Sequence, residues 1–110
     1  MGLFGFGKKK YEKNVTRDKD FLRSYSIKCN GLVPYVESNE TVLKELNTLK
    51  DDFQYTMPSV KPEAKKLEKD IIANYDNLTN LLSQTEWDEA EVLNAIRNLR
   101  RIVNEIGSMR

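Results

Sequence analysis

Between Val60 and Ile106 the apolar residues recur at helical spacing with a single interruption. Val60, Ala64, Leu67, Ile71, Tyr75, Leu78 and Leu82 follow one another by steps of three or four. The stripe stops at the polar run Ser83–Thr85 and resumes as Val92, Ile96, Leu99, Val103 and Ile106. Steps of this size place side chains along one side of a helix, so the pattern predicts two amphipathic helices joined by a tight turn. A half-buried strand would need strict alternation, and no alternating run of useful length occurs. The chain therefore reads as all-α.

The N-terminal half extends the same reading. Phe21, Leu22, Tyr25, Cys29, Leu32, Val33 and Val36 fall on one helical face. Asn30-Gly31 resembles a helix end, and Pro34 removes a backbone donor, yet the apolar spacing runs through both. The expectation is one helix from near Thr16 to about Glu37, kinked at Gly31–Pro34. Ser38 and Asn39 are capping types and open a second helix to about Thr56, with Val42, Leu43, Leu46, Leu49 and Phe53 inward. Met57-Pro58-Ser59 ends it, and Pro62 suits the first turn of a third helix that closes at Leu82. Thr85, with Asp88 three positions on, is the expected cap of the fourth.

At 110 residues the chain is long enough for one hydrophobic core. Short connections predict an antiparallel up-down bundle of about four helices over residues 14–110, preceded by a flexible basic tail over residues 1–13. Leu67, Ile71, Leu78, Ile96, Leu99 and Val103 are the expected core.

The chain has no histidine. That removes the Ser-His-Asp and Cys-His arrangements, most catalytic zinc sites, and the Glu-x-x-His pair of di-iron bundles. One cysteine, Cys29, cannot form an internal disulfide or a cysteine-rich metal cage, and on an apolar helical face it reads as a packing residue. The acidic groups Asp51-Asp52 and Glu86 with Asp88, Glu89 and Glu91 fall at a helix end and a helix start, where a structural role accounts for them. No catalytic residue, cofactor site or metal site is expected, and the chain reads as non-enzymatic. No stretch reaches the roughly 20 apolar residues of a membrane span. The N-terminus lacks the apolar region and cleavage site of a secretory signal, so a cytoplasmic location is expected.

Charge is unevenly distributed. Residues 1–28 carry eight Lys/Arg against three Asp/Glu, residues 29–96 six against thirteen, and residues 97–110 four against one. The net charge of +1 thus hides two basic ends around an acidic middle. In an up-down bundle of four helices both termini share one end, which would bring Lys8, Lys9 and Lys10 near Arg100 and Arg101 as one positive pole. Leu3, Phe4 and Phe6 ahead of the three lysines have the composition of a weak membrane-surface anchor, each lysine contributing about 1 kcal/mol beside an anionic leaflet. Leu3, Phe4, Phe6, Lys8, Lys9, Lys10, Arg97, Arg100 and Arg101 are therefore the candidate contacts with an anionic surface.

Trp87 is the only tryptophan. It is placed in the first turn of the last helix, where it either plugs the end of the bundle or serves as the candidate anchor for a protein partner, since Trp is a frequent interface hot spot. It is followed by Asp88-Glu89, so the Trp-x-Gly turn of the helical-hairpin proteins exported by bacterial type VII systems is not present. The sequence reading is a small interaction or adaptor protein, peripheral at an anionic membrane surface on the cytoplasmic side. The alternative is a nucleic-acid-associated accessory protein that uses Arg97, Arg100 and Arg101 against phosphates. The acidic middle opposes that alternative, because it repels a duplex.

Overall fold

The computed structural model describes residues 20–109. Five helices occur among them and no strand. They are α1 over residues 20–30, α2 (Val33–Val36), α3 (Glu40–Tyr55), α4 (Pro62–Leu82) and α5 (Glu89–Gly107). The all-α expectation holds. The N-terminal tail, with Leu3, Phe4, Phe6, Lys8, Lys9 and Lys10, and the expected helix start near Thr16 lie outside the described residues.

The expected kinked helix is two helices. The hydrogen-bond ladder tightens after Cys29: Gly31 N–H still bonds Ile27 O (3.2 Å), but Leu32 N–H bonds Cys29 O and Tyr35 N–H bonds Leu32 O, both at 3.0 Å. Pro34, in the first turn of α2, has no N–H to add. Leu32 keeps right-handed dihedrals (φ −87°, ψ −11°), and no described glycine has positive φ. The chain thus breaks its ladder without reversing direction. This is why the apolar spacing survives the break, and why Cys29, Leu32 and Val36 are all buried.

Asn39 caps α3 as its sequence position implies. Its Oδ1 accepts from Val42 N–H at 3.1 Å, satisfying one of the donors a helix start leaves open. α4 begins at Pro62, where a missing N–H removes no helical bond. The expected cap of α5 is corrected. Asp88, not Thr85, is the N-cap, its Oδ1 accepting from Ala90 N–H at 3.1 Å. Glu91, three residues on, completes the Asp-x-x-Glu spacing of a capping box. Trp87 accordingly stands before the helix rather than in its first turn. It is half-buried against the core.

One core joins all the helices. Leu22, Tyr25, Cys29, Leu32 and Val36 meet Val42, Leu46, Leu49 and Phe53 of α3, Ile71, Tyr75, Leu78 and Leu82 of α4, and seven residues of α5. Of the expected core, Ile71, Leu78, Ile96, Leu99 and Val103 are fully buried. Leu67 is only partly buried, at the margin of the cluster. Val60 is a further correction to the apolar stripe: it precedes α4 and is exposed.

The helix directions alternate, but the neighbours are not those implied by chain order. α5 packs on both α4 and α3, while α3 and α4 share little contact. α3 and α5 run parallel. Arg97 reaches Glu45, Arg100 reaches Glu45 and Asp52, and a Cβ added to Gly107 would stand 3.1 Å from Thr56 Cγ2. α1 completes the ring between α3 and α4. Its Ser26 Oγ donates to Lys50 O (3.0 Å), and the Tyr25 ring lies 5.6 Å from Phe53 and 5.1 Å from Tyr75, centroid to centroid. The connection over residues 56–61 therefore crosses the end of the bundle from α3 to a helix diagonal to it.

Candidate interaction surface

The arginines of α5 face α3. Arg100 donates from Nε to Asp52 Oδ2 at 3.0 Å and from Nη1 to Glu45 Oε2 at 3.1 Å. Its pKa is raised, chiefly by the hydrogen bond to Asp52. Arg97 Nη2 lies 3.8 Å from Glu45 Oε1. Only Arg101 points well away from this cluster, and it pairs loosely with Glu105 one turn on (3.9 Å). Two of the three arginines singled out as anion contacts thus share carboxylates of the acidic middle. Asn104, on the same polar side, donates to Arg100 O at 2.8 Å. The positive charge on α5 is mostly matched within the fold, by Glu45, Asp52 and Glu105.

The interior offers little acid–base chemistry. Burial pushes the Cys29 thiol up to about 12, partly countered by Lys50. Tyr75 is also raised to about 12, mainly by burial. Both groups stay protonated at neutral pH, and a protonated thiol is a poor nucleophile. Lys28, next to Cys29 in sequence, instead places its Nζ 4.4 Å from the Tyr25 ring centroid. Among the described residues no three His, Cys, Asp or Glu side chains are grouped to hold a metal ion. No described helix is long and apolar enough to cross a membrane.

The exposed apolar residues are more informative. Tyr55, Met57 and Val60 are exposed by 73%, 51% and 49%, and all lie at or within the crossing connection. Between Asp52 and Glu63 there is no acidic residue, and Lys61 adds a positive charge. The connection is held at its middle by Ser59, which is 6% exposed. Ser59 Oγ donates to Met109 O (3.3 Å) and accepts from Lys61 N–H (3.2 Å). One hydroxyl thus ties the C-terminal end of α5 to the start of α4, and Met57 and Val60 flank it on the outside.

The described start of α1 lies at this same end, because α1 runs antiparallel to α3 with Tyr25 level with Phe53. Trp87 stands at the other end, in the turn between α4 and α5. Sequence reasoning missed the crossing connection. It assigned Val60 to a buried stripe and treated Met57-Pro58-Ser59 only as a helix stop. The signal was present in the absence of acidic residues from 53 to 62 beside three large apolar side chains.

No protein-family model matches the chain, and no curated protein or solved structure matches it.

Proposed function

We propose that the chain works by contact: a small helical-bundle interaction or adaptor module that meets an anionic membrane surface with one end. The observation that carries this reading is the placement of chain ends. The first described turn of α1 and the ends of α3 and α5 lie at one end of the bundle, where Lys61 is exposed, and the Lys-rich segment precedes that turn in the chain. Lys8, Lys9 and Lys10 supply attraction to an anionic leaflet, and Leu3, Phe4 and Phe6 supply apolar contact. Neither group alone gives stable attachment, since a short apolar segment binds marginally without charge beside it. The pairing of Arg97 and Arg100 with Glu45 and Asp52 argues against a phosphate-binding face on α5.

Co-sedimentation of the full chain with phosphatidylglycerol-containing vesicles tests the proposal. Binding is expected at low salt. It should weaken as salt rises, because exposed charges are screened over about 8 Å at physiological ionic strength. It should also be lost both on changing Lys8, Lys9 and Lys10 together to Ala and on changing Phe4 and Phe6 to Ser. No sedimentation at low salt, or equal binding to duplex DNA, would overturn it.

A further inference from the structure

We infer that the connection over residues 56–61, with Tyr55 at its base, is a second membrane-contacting element, and that Tyr55, Met57 and Val60 enter the interface of an anionic bilayer. The inference rests on the membrane-surface reading above and adds to it which part of the folded bundle touches the lipid. It is carried by features independent of the N-terminal segment. Half of the large apolar side chains that are exposed among the described residues fall in this one stretch of six residues. Exposed apolar groups collected in one place mark a contact surface, whereas isolated ones are ordinary.

The stretch is held in place. Ser59 is buried and bonded on both sides, so Met57 and Val60 project from an anchored backbone. A pinned connection loses less conformational freedom on contact than a free one. Tyr55 combines an apolar ring with a hydroxyl, the combination favoured where hydrocarbon meets water.

Charge selects the occupant. The stretch from Phe53 to Pro62 has no carboxylate to repel anionic headgroups and ends on the exposed Lys61; beyond it Glu63 and Lys66 are both exposed, and Lys65 pairs with Glu68 at 3.8 Å. A stretch that exposes Tyr, Met and Val, lacks carboxylates of its own and ends on Lys61 fits an anionic lipid surface. The bundle then stands with this end toward the bilayer, and Trp87 and the turn over residues 83–88 face away.

The experiment uses the full chain carrying a single environment-sensitive fluorophore. Cys29 is fully buried, so Met57→Cys can be labelled selectively, with Gln84→Cys in the distal turn as the control. Vesicles of phosphatidylglycerol and phosphatidylcholine should shift the emission of the label at position 57 to the blue and leave position 84 unchanged. The variant Tyr55→Ser, Met57→Ser, Val60→Ser should keep its helical circular dichroism and lose about tenfold or more in vesicle partitioning.

If the chain sediments with vesicles while position 57 keeps its aqueous emission, the connection does not enter lipid. The inference then fails and the membrane reading stands. If the unlabelled chain does not sediment at low salt, both fail. A blue shift that needs no vesicles and grows with protein concentration would assign the surface to a second copy of the chain and overturn the inference.

Discussion

Arg100 on α5 and Asp52 on α3 form a 3.0 Å charged hydrogen bond between helices whose facing residues are almost fifty positions apart in the chain. With Glu45 as second acceptor, the guanidinium fixes the parallel register of α3 on α5 as well as adding attraction. About a third of the Arg100 side chain remains exposed, so solvent screens part of its charge. Arg100→Ala is expected to cost about 1–2 kcal/mol, mostly from the two carboxylates left without their shared donor. Arg101→Ala removes only a looser, more exposed pair and should stay within about 0.5 kcal/mol. Urea unfolding of the two variants checks this, and equal losses would mean that the cluster does not fix the register.

The two ends of the 83–88 turn separate two cap assignments. Asp88→Ala should destabilise by about 1 kcal/mol, the usual loss for a capping side chain. Thr85→Ala should leave the thermal midpoint nearly unchanged. The reverse order in a melting experiment would restore Thr85 as the cap.

Burial ranks the apolar stripe. Leu99→Ala and Ile71→Ala should cost about 2–5 kcal/mol, because both side chains are wholly enclosed. Leu67→Ala, at the margin, should cost clearly less. If chemical denaturation gives Leu67→Ala the same loss as Leu99→Ala, the cluster extends farther toward the start of α4 than its exposure indicates.

Alkali should destabilise the fold in a defined sense. In the native chain the Cys29 thiol is raised from 9.0 to about 12 and the Tyr75 hydroxyl from 10.0 to about 12. As pH rises past 9, the unfolded chain therefore releases protons that the native chain keeps. The unfolded state then binds fewer protons, and stability falls with pH up to about 12. Urea midpoints measured from pH 8 to 11 should decline, and Cys29→Ala should remove the earliest part of the decline. A flat profile in the unaltered chain would show that these groups are not shielded. The same burial predicts slow reaction of Cys29 with a thiol reagent at pH 8 unless urea is present.

Much of the fold is legible in the sequence because helical periodicity is local. Cys29, Leu32 and Val36 belong to one face in the sequence and are buried together in the fold, although the helix breaks between them. The break itself turns on hydrogen bonds shifting to nearer carbonyls around a proline, which spacing alone does not record. The placement of α3 beside α5 was not legible. Short connections favour sequential neighbours, and only the packing of whole faces decides that the 56–61 stretch spans the diagonal. Val60 was misread for the same reason: three- and four-residue steps continue backward from Ala64, but Pro62 starts the helix after Val60 has left it. Of the surface, the uneven charge was visible and the pairing of Arg97 and Arg100 with α3 was not. Glu45 and Arg100 are 55 residues apart, and nothing in either neighbourhood names the other.

The crossing connection also sets when the molecule can become whole. α3 carries Leu46, Leu49 and Phe53 on the side that faces its partners, and one large partner, α5, follows it in the chain only after α4. A chain emerging from a ribosome therefore holds α1 through α4 without the element that fills the middle of its core. Those helices remain an unfinished assembly, with their greasy sides available to chaperones or to aggregation, until α5 clears the exit tunnel. A premature stop anywhere before Glu89 removes the helix that joins α3 to α4.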